Sequence, residues 1–534
     1  MKKLFKKMYF ISLICLISML TLSACSQSKT VTKSDDGAKI LNIGVNSETS
    51  LLSPLYMDSS NYSTTKMVYE NLVNYENGEI KPGLAESWEF ANDGKDLIFH
   101  IRKGVKLHNE EDFTAEVVKK NLEHKKTNPS FYTLKGVTEI QGMDIVDNYT
   151  LTIHYPRRYY AYLSDFCWPD VMPMIAPELL IKGDFQTVKG IIGTGPYKFD
   201  KFVSGQYTKF IRNEEYWGEK PYYDEILVKY IPDSQARLKA LKTGEIDLIY
   251  GSSLLDYDQY KEACGYTNVN GQISDKDTRA RDITLNASSS ILKDINVRKA
   301  IAYAIDKEKI SKGITEGIEE VAELPFTKDS QFFDLKLNEK FVFNKEKANK
   351  LLDEAGWKLN GNKKIREKNG IPLKLKYTTY SSDAINESIT TLLKNQLGEV
   401  GIDIDVITLE KMEWYQVYMK GDFDITTWLG QYAYANPHCW FNPMDTMTPQ
   451  TASLSQVEGS EDFFRKIKET QGLDDSAKLK VLFTELINYN LGNVIDIPLT
   501  YQKDRIVYNS EKIKGYNFTG VPTFFDIKGL EINK

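Results

Sequence analysis

The chain has 534 residues, 41% of them apolar, and a formal net charge of −6 with both signs spread along its length. That is enough material for a large core and for two or three domains. The charge pattern excludes the basic face of a nucleic-acid-binding protein. The cysteines beyond Cys25 (Cys167, Cys264 and Cys439) are too far apart for a metal motif or a disulfide ladder; one bridged pair stays open, and three buried free thiols are expected.

The first element is an address. Lys2, Lys3, Lys6 and Lys7 precede an apolar run from Met8 to Thr21. This has the proportions of a signal-peptide core and falls short of the roughly 20 apolar residues that cross a bilayer. Leu22-Ser23-Ala24-Cys25 resembles the bacterial lipobox. Residues 1–24 are therefore expected as a lipoprotein signal peptide, and Cys25 as the acylated first residue of the mature chain. Two acyl chains suffice for stable anchoring. Residues 25–39 are polar and read as a flexible tether.

Beyond the tether, strand-like and helix-like segments alternate, which places the chain in the α/β class. Lys39–Val45 reads as a buried opening strand and Leu97–Arg102 as a half-buried one after an Asp93-Gly94 turn. Thr114 is placed to cap a helix burying Val117, Val118 and Leu122. Tyr149–Tyr155 repeats the strand pattern. Asp233 is placed to cap a helix that buries Leu238 and Leu241 and ends at Gly244, before a strand at Ile246–Tyr250. Val297, Ala300, Ile301, Ala304 and Ile305 lie on one helical face. Helices are expected over Lys345–Glu354 and Ile385–Val400, and strands over Leu373–Tyr377, Ile402–Ile407 and Phe423–Trp428. Gly193 and Gly195 are expected at backbone angles other residues avoid, and Trp88, Trp217 and Trp357 as core pillars.

Several segments, taken in order, resemble the peptide/nickel family of bacterial extracellular solute-binding proteins (family 5). They are Lys81-Pro-Gly-Leu-Ala-Glu-Ser-Trp88, Phe99-His-Ile-Arg-Lys-Gly-Val-Lys-Leu-His108, Gly193-Thr-Gly-Pro-Tyr197, Tyr216-Trp-Gly218, Gly244-Glu-Ile-Asp247, Asn296-Val-Arg-Lys-Ala-Ile301 and Leu351-Leu-Asp-Glu-Ala-Gly-Trp357. The resemblance runs from about Ile43 to Lys512. It implies a two-lobed type II periplasmic-binding-protein fold with an extra inserted subdomain in lobe I. Lobe I would take residues 40–284, with the insertion at about 80–190, and lobe II residues 285–495. Residues 496–534 would return to lobe I, with the hinge near Asp282–Leu285 and Ile497–Leu499.

The resemblance also implies a function. The chain would be the lipid-anchored substrate-binding component of an ABC importer, acting as a monomer at the extracytoplasmic face of the membrane. It would close on a small ligand and pass it to the permease. Trp428-Leu-Gly-Gln-Tyr-Ala-Tyr-Ala-Asn-Pro-His-Cys-Trp440 is the segment expected to line the cleft, with Trp428, Tyr432, Tyr434 and His438 as ligand contacts. The Pro437-His438 pair leans toward the nickel branch. Peptide-binding relatives tend to carry an aspartate in this loop, and Tyr432 to Ala435 hold none. Relatives that bind metal chelates tend to carry an arginine where this chain has Asp170, so a ligand with a cationic group is expected to face Asp170. The expected cargo is nickel as a small chelate or a short peptide; the alternatives are an oligopeptide- or dipeptide-binding receptor of a peptide ABC transporter and a ligand-sensing lipoprotein. No cofactor is expected. The hydrolase, phosphate-loop and zinc motifs of common enzymes are missing from the sequence, and a non-enzymatic role is expected.

Overall fold

The computed structural model describes residues 37–48, 64–76, 79–127, 134–159, 161–169, 172–182, 190–328, 330, 332–359, 361, 364–381, 383, 385–429, 438–441, 444, 448–473, 475–518 and 524–533. Cys25, Asp170, Tyr432 and Tyr434 lie outside them. No described helix is long and apolar enough to cross a membrane.

Two large sheets organise the chain. The first has seven strands, in the order Val269–Ile273, Arg505–Asn509, Leu248–Tyr250, Ile40–Val45, Glu225–Tyr230, Tyr207–Arg212 and Tyr197–Val203. The second has five: Asp403–Leu409, Lys374–Tyr380, Ile425–Leu429, Arg279–Leu285 and Asp496–Gln502. Lys374–Tyr380 runs parallel to both of its neighbours, whereas Arg279–Leu285 is antiparallel to both of its own. The chain thus crosses from the first sheet to the second over residues 274–278, and returns over residues 503–504. Asp282–Leu285 and Ile497–Leu499 lie a few residues further on, paired with each other inside the second sheet.

A separate four-stranded antiparallel sheet, in the order Ala85–Ala91, Asp96–Ile101, Thr150–His154 and Gly142–Asp147, forms the inserted subdomain. Its hairpin turns at Asn92, Asp93 and Gly94, all with positive φ. Helix Ala115–Lys126 buries Val117, Val118 and Leu122 as periodicity requires. Thr114 stands at its N-cap position, but the hydroxyl makes no capping bond. Asp233 does cap its helix, accepting from the Ala236 N–H at 2.7 Å, and Leu238 and Leu241 are buried beneath. On the second sheet, helices Ile295–Ala304, Lys345–Glu354 and Asn386–Gly398 pack Val297, Ala300, Leu352 and Leu393 against Ile283, Leu375 and Tyr377.

Three local expectations are corrected. Neither Gly193 nor Gly195 has positive φ. They are glycines because the 67–69 segment passes over them: a Cβ on Gly193 would lie 2.1 Å from the Val68 carbonyl oxygen, and one on Gly195 would lie 2.5 Å from that of Met67. Trp357 is a buried pillar, whereas Trp88 and Trp217 are only half-buried. Trp217 lies under the Arg102 guanidinium, 4.7 Å from its centroid, and donates its indole N–H to Glu70 at 2.8 Å. Cys167 is buried, but Cys264, in the last turn of helix Tyr257–Cys264, is an exposed free thiol whose Sγ lies over Gly271 at the edge of the first sheet.

Candidate functional site

The inserted subdomain meets the second lobe along a seam of aromatic and charged side chains. Strand Gly142–Asp147 pairs beside Thr150–His154, and the chain then turns at Pro156 to present Arg157 and Tyr159. Arg157 donates to Glu139 Oε1 at 2.8 Å and to Gln471 Oε1 at 3.1 Å. Gln471 ends helix Ser460–Gln471 of the second lobe, so the guanidinium ties the two bodies together. Glu139 also accepts from the Tyr162 hydroxyl at 2.6 Å. The Tyr162 ring stacks on Tyr155, with centroids 3.7 Å apart.

His438 closes the same seam. It opens the short helix His438–Phe441 and is 1% exposed. Its ring stands edge-on to Tyr159 of the subdomain at 5.5 Å, and edge-on to Phe483 of helix Ser476–Gly492 at 4.9 Å. Burial, with the positive charges of Lys135 and Arg157 behind it, pushes its pKa down to about 3. At neutral pH the imidazole is uncharged and enclosed by rings.

Trp428 is the penultimate residue of strand Ile425–Leu429, whose pairing to Arg279–Leu285 and Lys374–Tyr380 fixes its position. Its half-buried ring rests 4.8 Å from Tyr418 and 5.8 Å from Trp414. Trp414 is fixed in turn by an indole N–H donated to the Thr426 hydroxyl at 2.9 Å. Trp428 and His438 therefore bracket residues 430–437, the first on an aromatic shelf and the second in the seam. Asp170, Tyr432 and Tyr434, the other expected contacts, lie outside the described residues. Among the described residues no group of three or more His, Cys, Asp or Glu side chains is arranged to hold a metal ion directly.

Sequence reasoning passed over Arg157, Tyr159 and Gln471. Two of them sit in Pro156-Arg-Arg-Tyr-Tyr160, a basic-aromatic run directly after a strand, which was the available signal. Gln471 carries no signal at all, because its role depends on what docks against it.

Residues 79–452 match the family model described as bacterial extracellular solute-binding proteins, family 5. The nickel-binding periplasmic protein of Escherichia coli (strain K12) is 30% identical over 457 residues, covering 83% of this chain and 86% of that protein. The oligopeptide-binding protein AppA of Bacillus subtilis (strain 168) is 28% identical over 416 residues, covering 74% and 75%. The crystal structure of NikA from Brucella suis in complex with Fe(III)-EDTA superposes with a TM-score of 0.85 at 29% identity, covering 92% of this chain and 100% of that one. With two lobes, an inserted subdomain and a matching core sequence, this chain belongs to the bacterial extracellular solute-binding proteins of family 5.

Proposed function

We propose that the chain is the lipid-anchored substrate-binding component of an ABC importer and that its cargo is nickel carried as a small chelate. One observation carries the choice of cargo: the similarity to the nickel-binding relative extends over most of both chains at 30% identity. The aromatic shelf at Trp428 supports it, since a planar or apolar chelator face packs well on such rings. Cys25 would anchor the protein outside the cytoplasmic membrane, and one copy suffices for capture and docking. The role is capture rather than catalysis.

Ligand that touches both lobes binds the closed form more tightly and shifts the population toward it. The seam at Arg157, Tyr159 and His438 is where the subdomain and the second lobe already meet, so closure has a surface to complete. A second reading, capture of a short peptide, is favoured by the similarity to the oligopeptide-binding relative.

Calorimetry on the soluble chain separates the two readings. Ni(II) is titrated with and without histidine, followed by a pool of short peptides. Saturable binding of Ni(II)–histidine with silent peptides supports the nickel reading, and binding of peptides alone replaces it. Trp428→Ala and Asp170→Asn should each weaken the ligand by about tenfold or more. Unchanged affinity removes that residue from the site.

A further inference from the structure

We propose that the second lobe carries a separate small-molecule site, a cavity in which Lys307 holds the carboxylate of a small organic acid with an apolar body. The cavity has a volume of about 470 Å³. Its walls are mostly apolar and include Ala322, Phe333, Phe341 and Tyr501. Every wall residue falls between 305 and 343 or between 491 and 501, so neither the inserted subdomain nor the seam contributes to it.

The local chain path gives this cavity an entrance. Residues 335–344 form no helix or strand, and Phe341, Val342 and Phe343 of that stretch line the cavity in succession. Val342 and Phe343 are 71% and 40% exposed although both are wall residues, so the cavity opens to solvent beside them. Exposed apolar side chains at a cavity mouth suit a ligand with an apolar part. Further walls come from the start of helix Lys307–Ile314 and from strand Asp496–Gln502, which places Ile497, Pro498 and Tyr501 there.

The charges on the walls are matched except at one place. Glu323 pairs with Lys340, Glu339 with Lys299, Glu308 with Lys312, Asp306 with Lys309, and Lys328 with Glu320. Asp496 has no cationic partner but accepts from Thr284, Gln450 and Asn490. Lys307 is the exception. Its half-buried ammonium donates to the Ala322 carbonyl at 3.2 Å, and among the described residues no carboxylate lies within ion-pair distance of it. Two of its three N–H donors therefore have no described acceptor. Asp282 does not fill that role: it is 1% exposed, lines no part of the cavity and shares no hydrogen bond with Lys307. Burial and the Asp496 charge hold its carboxyl well above the usual carboxylate range, which favours the neutral form. An unmatched ammonium in an apolar wall is costly, and a carboxylate both accepts its spare N–H groups and supplies the missing charge. Burial lowers the Lys307 pKa to about 8, and a bound carboxylate would raise it again. The rings of Phe333, Phe341 and Tyr501 suit a small aromatic body on that acid.

The test uses the soluble mature chain and saturation-transfer NMR, with phenylacetate as probe and phenylacetamide as its neutral comparator of similar shape. Expected are a saturable phenylacetate signal, a phenylacetamide affinity at least about tenfold lower, and a phenylacetate affinity reduced about tenfold or more in Lys307→Met. Equal behaviour of the two probes, no saturation, or full retention of phenylacetate binding by Lys307→Met overturns the proposal. Should that variant fail to fold, Val342→Asp takes its place, because the exposed mouth tolerates the change and a carboxylate there repels the probe. Its phenylacetate affinity should fall about threefold or more, and an unchanged affinity overturns the proposal.

Discussion

The Tyr257 hydroxyl donates to Glu319 Oε1 at 2.9 Å, joining a helix of the first lobe to a fully buried carboxylate of the second. Tyr257 opens helix Tyr257–Cys264, which packs on the first sheet, yet its ring belongs to the core of the second lobe. The Arg505 guanidinium covers the other face of the ring at 3.9 Å. Glu319 also accepts from Arg281 Nε at 2.9 Å and from the Thr500 hydroxyl at 2.7 Å, and Arg281 donates on to Asp383 at 2.9 Å. Both strands that carry the chain between the lobes, Arg279–Leu285 and Asp496–Gln502, thus enter one buried polar network.

Buried ion pairs are costly to break from one side, because the remaining charge stays desolvated. Glu319→Gln leaves Arg281 with Asp383 alone and should lower unfolding free energy by about 3 kcal/mol or more. Tyr257→Phe removes one hydroxyl and keeps the ring, so the loss should be about 1 kcal/mol. Urea denaturation of both variants checks the ranking. Equal losses would mean that the carboxylate matters only through the tyrosine.

Two glycine substitutions separate close approach from chain flexibility. Gly193→Ala drives a methyl into the Val68 carbonyl, and the clash is with backbone, which cannot swing away. A destabilisation of about 3 kcal/mol or more is expected. Gly313 lies in helix Lys307–Ile314 with nothing within 4 Å of an added Cβ. Gly313→Ala should stabilise by about 0.5–1 kcal/mol through the unfolded chain and helix propensity. Thermal melts of the two variants should move in opposite directions.

What the sequence disclosed, and what it did not, follows from where each signal resides. Lys345–Glu354 was readable because its apolar spacing and the Gly356 stop are local, whereas the Asn344 side chain that caps it came only with the structure. Asp233 was readable as a cap for the same reason. The glycines at 193 and 195 were recognisable as a motif, but their cause was not, since it lies in residues 67–69. Trp428 was legible as an aromatic next to a loop. The shelf beneath it, Trp414 and Tyr418, comes from a different helix, Lys411–Met419, and appears only once that helix docks on the sheet. Arg157 and Gln471 are more than three hundred positions apart in the chain, and no spacing rule links them.

The Arg157 bond to Gln471 crosses from the subdomain to the second lobe, and so reports on how firmly they are held. Arg157→Ala removes that bond and the pairing with Glu139 together. A loss of about 1 kcal/mol at the seam shifts an open–closed equilibrium roughly fivefold. Small-angle scattering of the ligand-free variant should show a larger radius of gyration than the parent. Gln471→Ala, which spares Glu139, should give the same direction with a smaller effect. An unchanged radius for both would show that the aromatic contacts alone hold the seam.

His438 gives the seam a pH dependence whose sign is fixed by its environment. Its folded pKa, about 3, lies below the ordinary value of about 6.5, so the unfolded chain binds the proton more readily. The stability it contributes is fully present above about 6.5 and is lost as pH falls toward about 3. The full loss is several kcal/mol at most. Asp165 works in the opposite sense. Burial raises its pKa to about 7, so the folded state holds that proton, and its contribution improves as pH falls through about 7. The raw stability curve therefore mixes the two. The difference between the parent and His438→Phe isolates the imidazole, because phenylalanine keeps the edge-on packing with Tyr159 and Phe483 and cannot titrate. The stability advantage of His438→Phe should grow as pH is lowered from 6.5 to 4.5 and level off above 7. A pH-independent difference would place the imidazole in contact with water, outside the enclosure formed by those two rings.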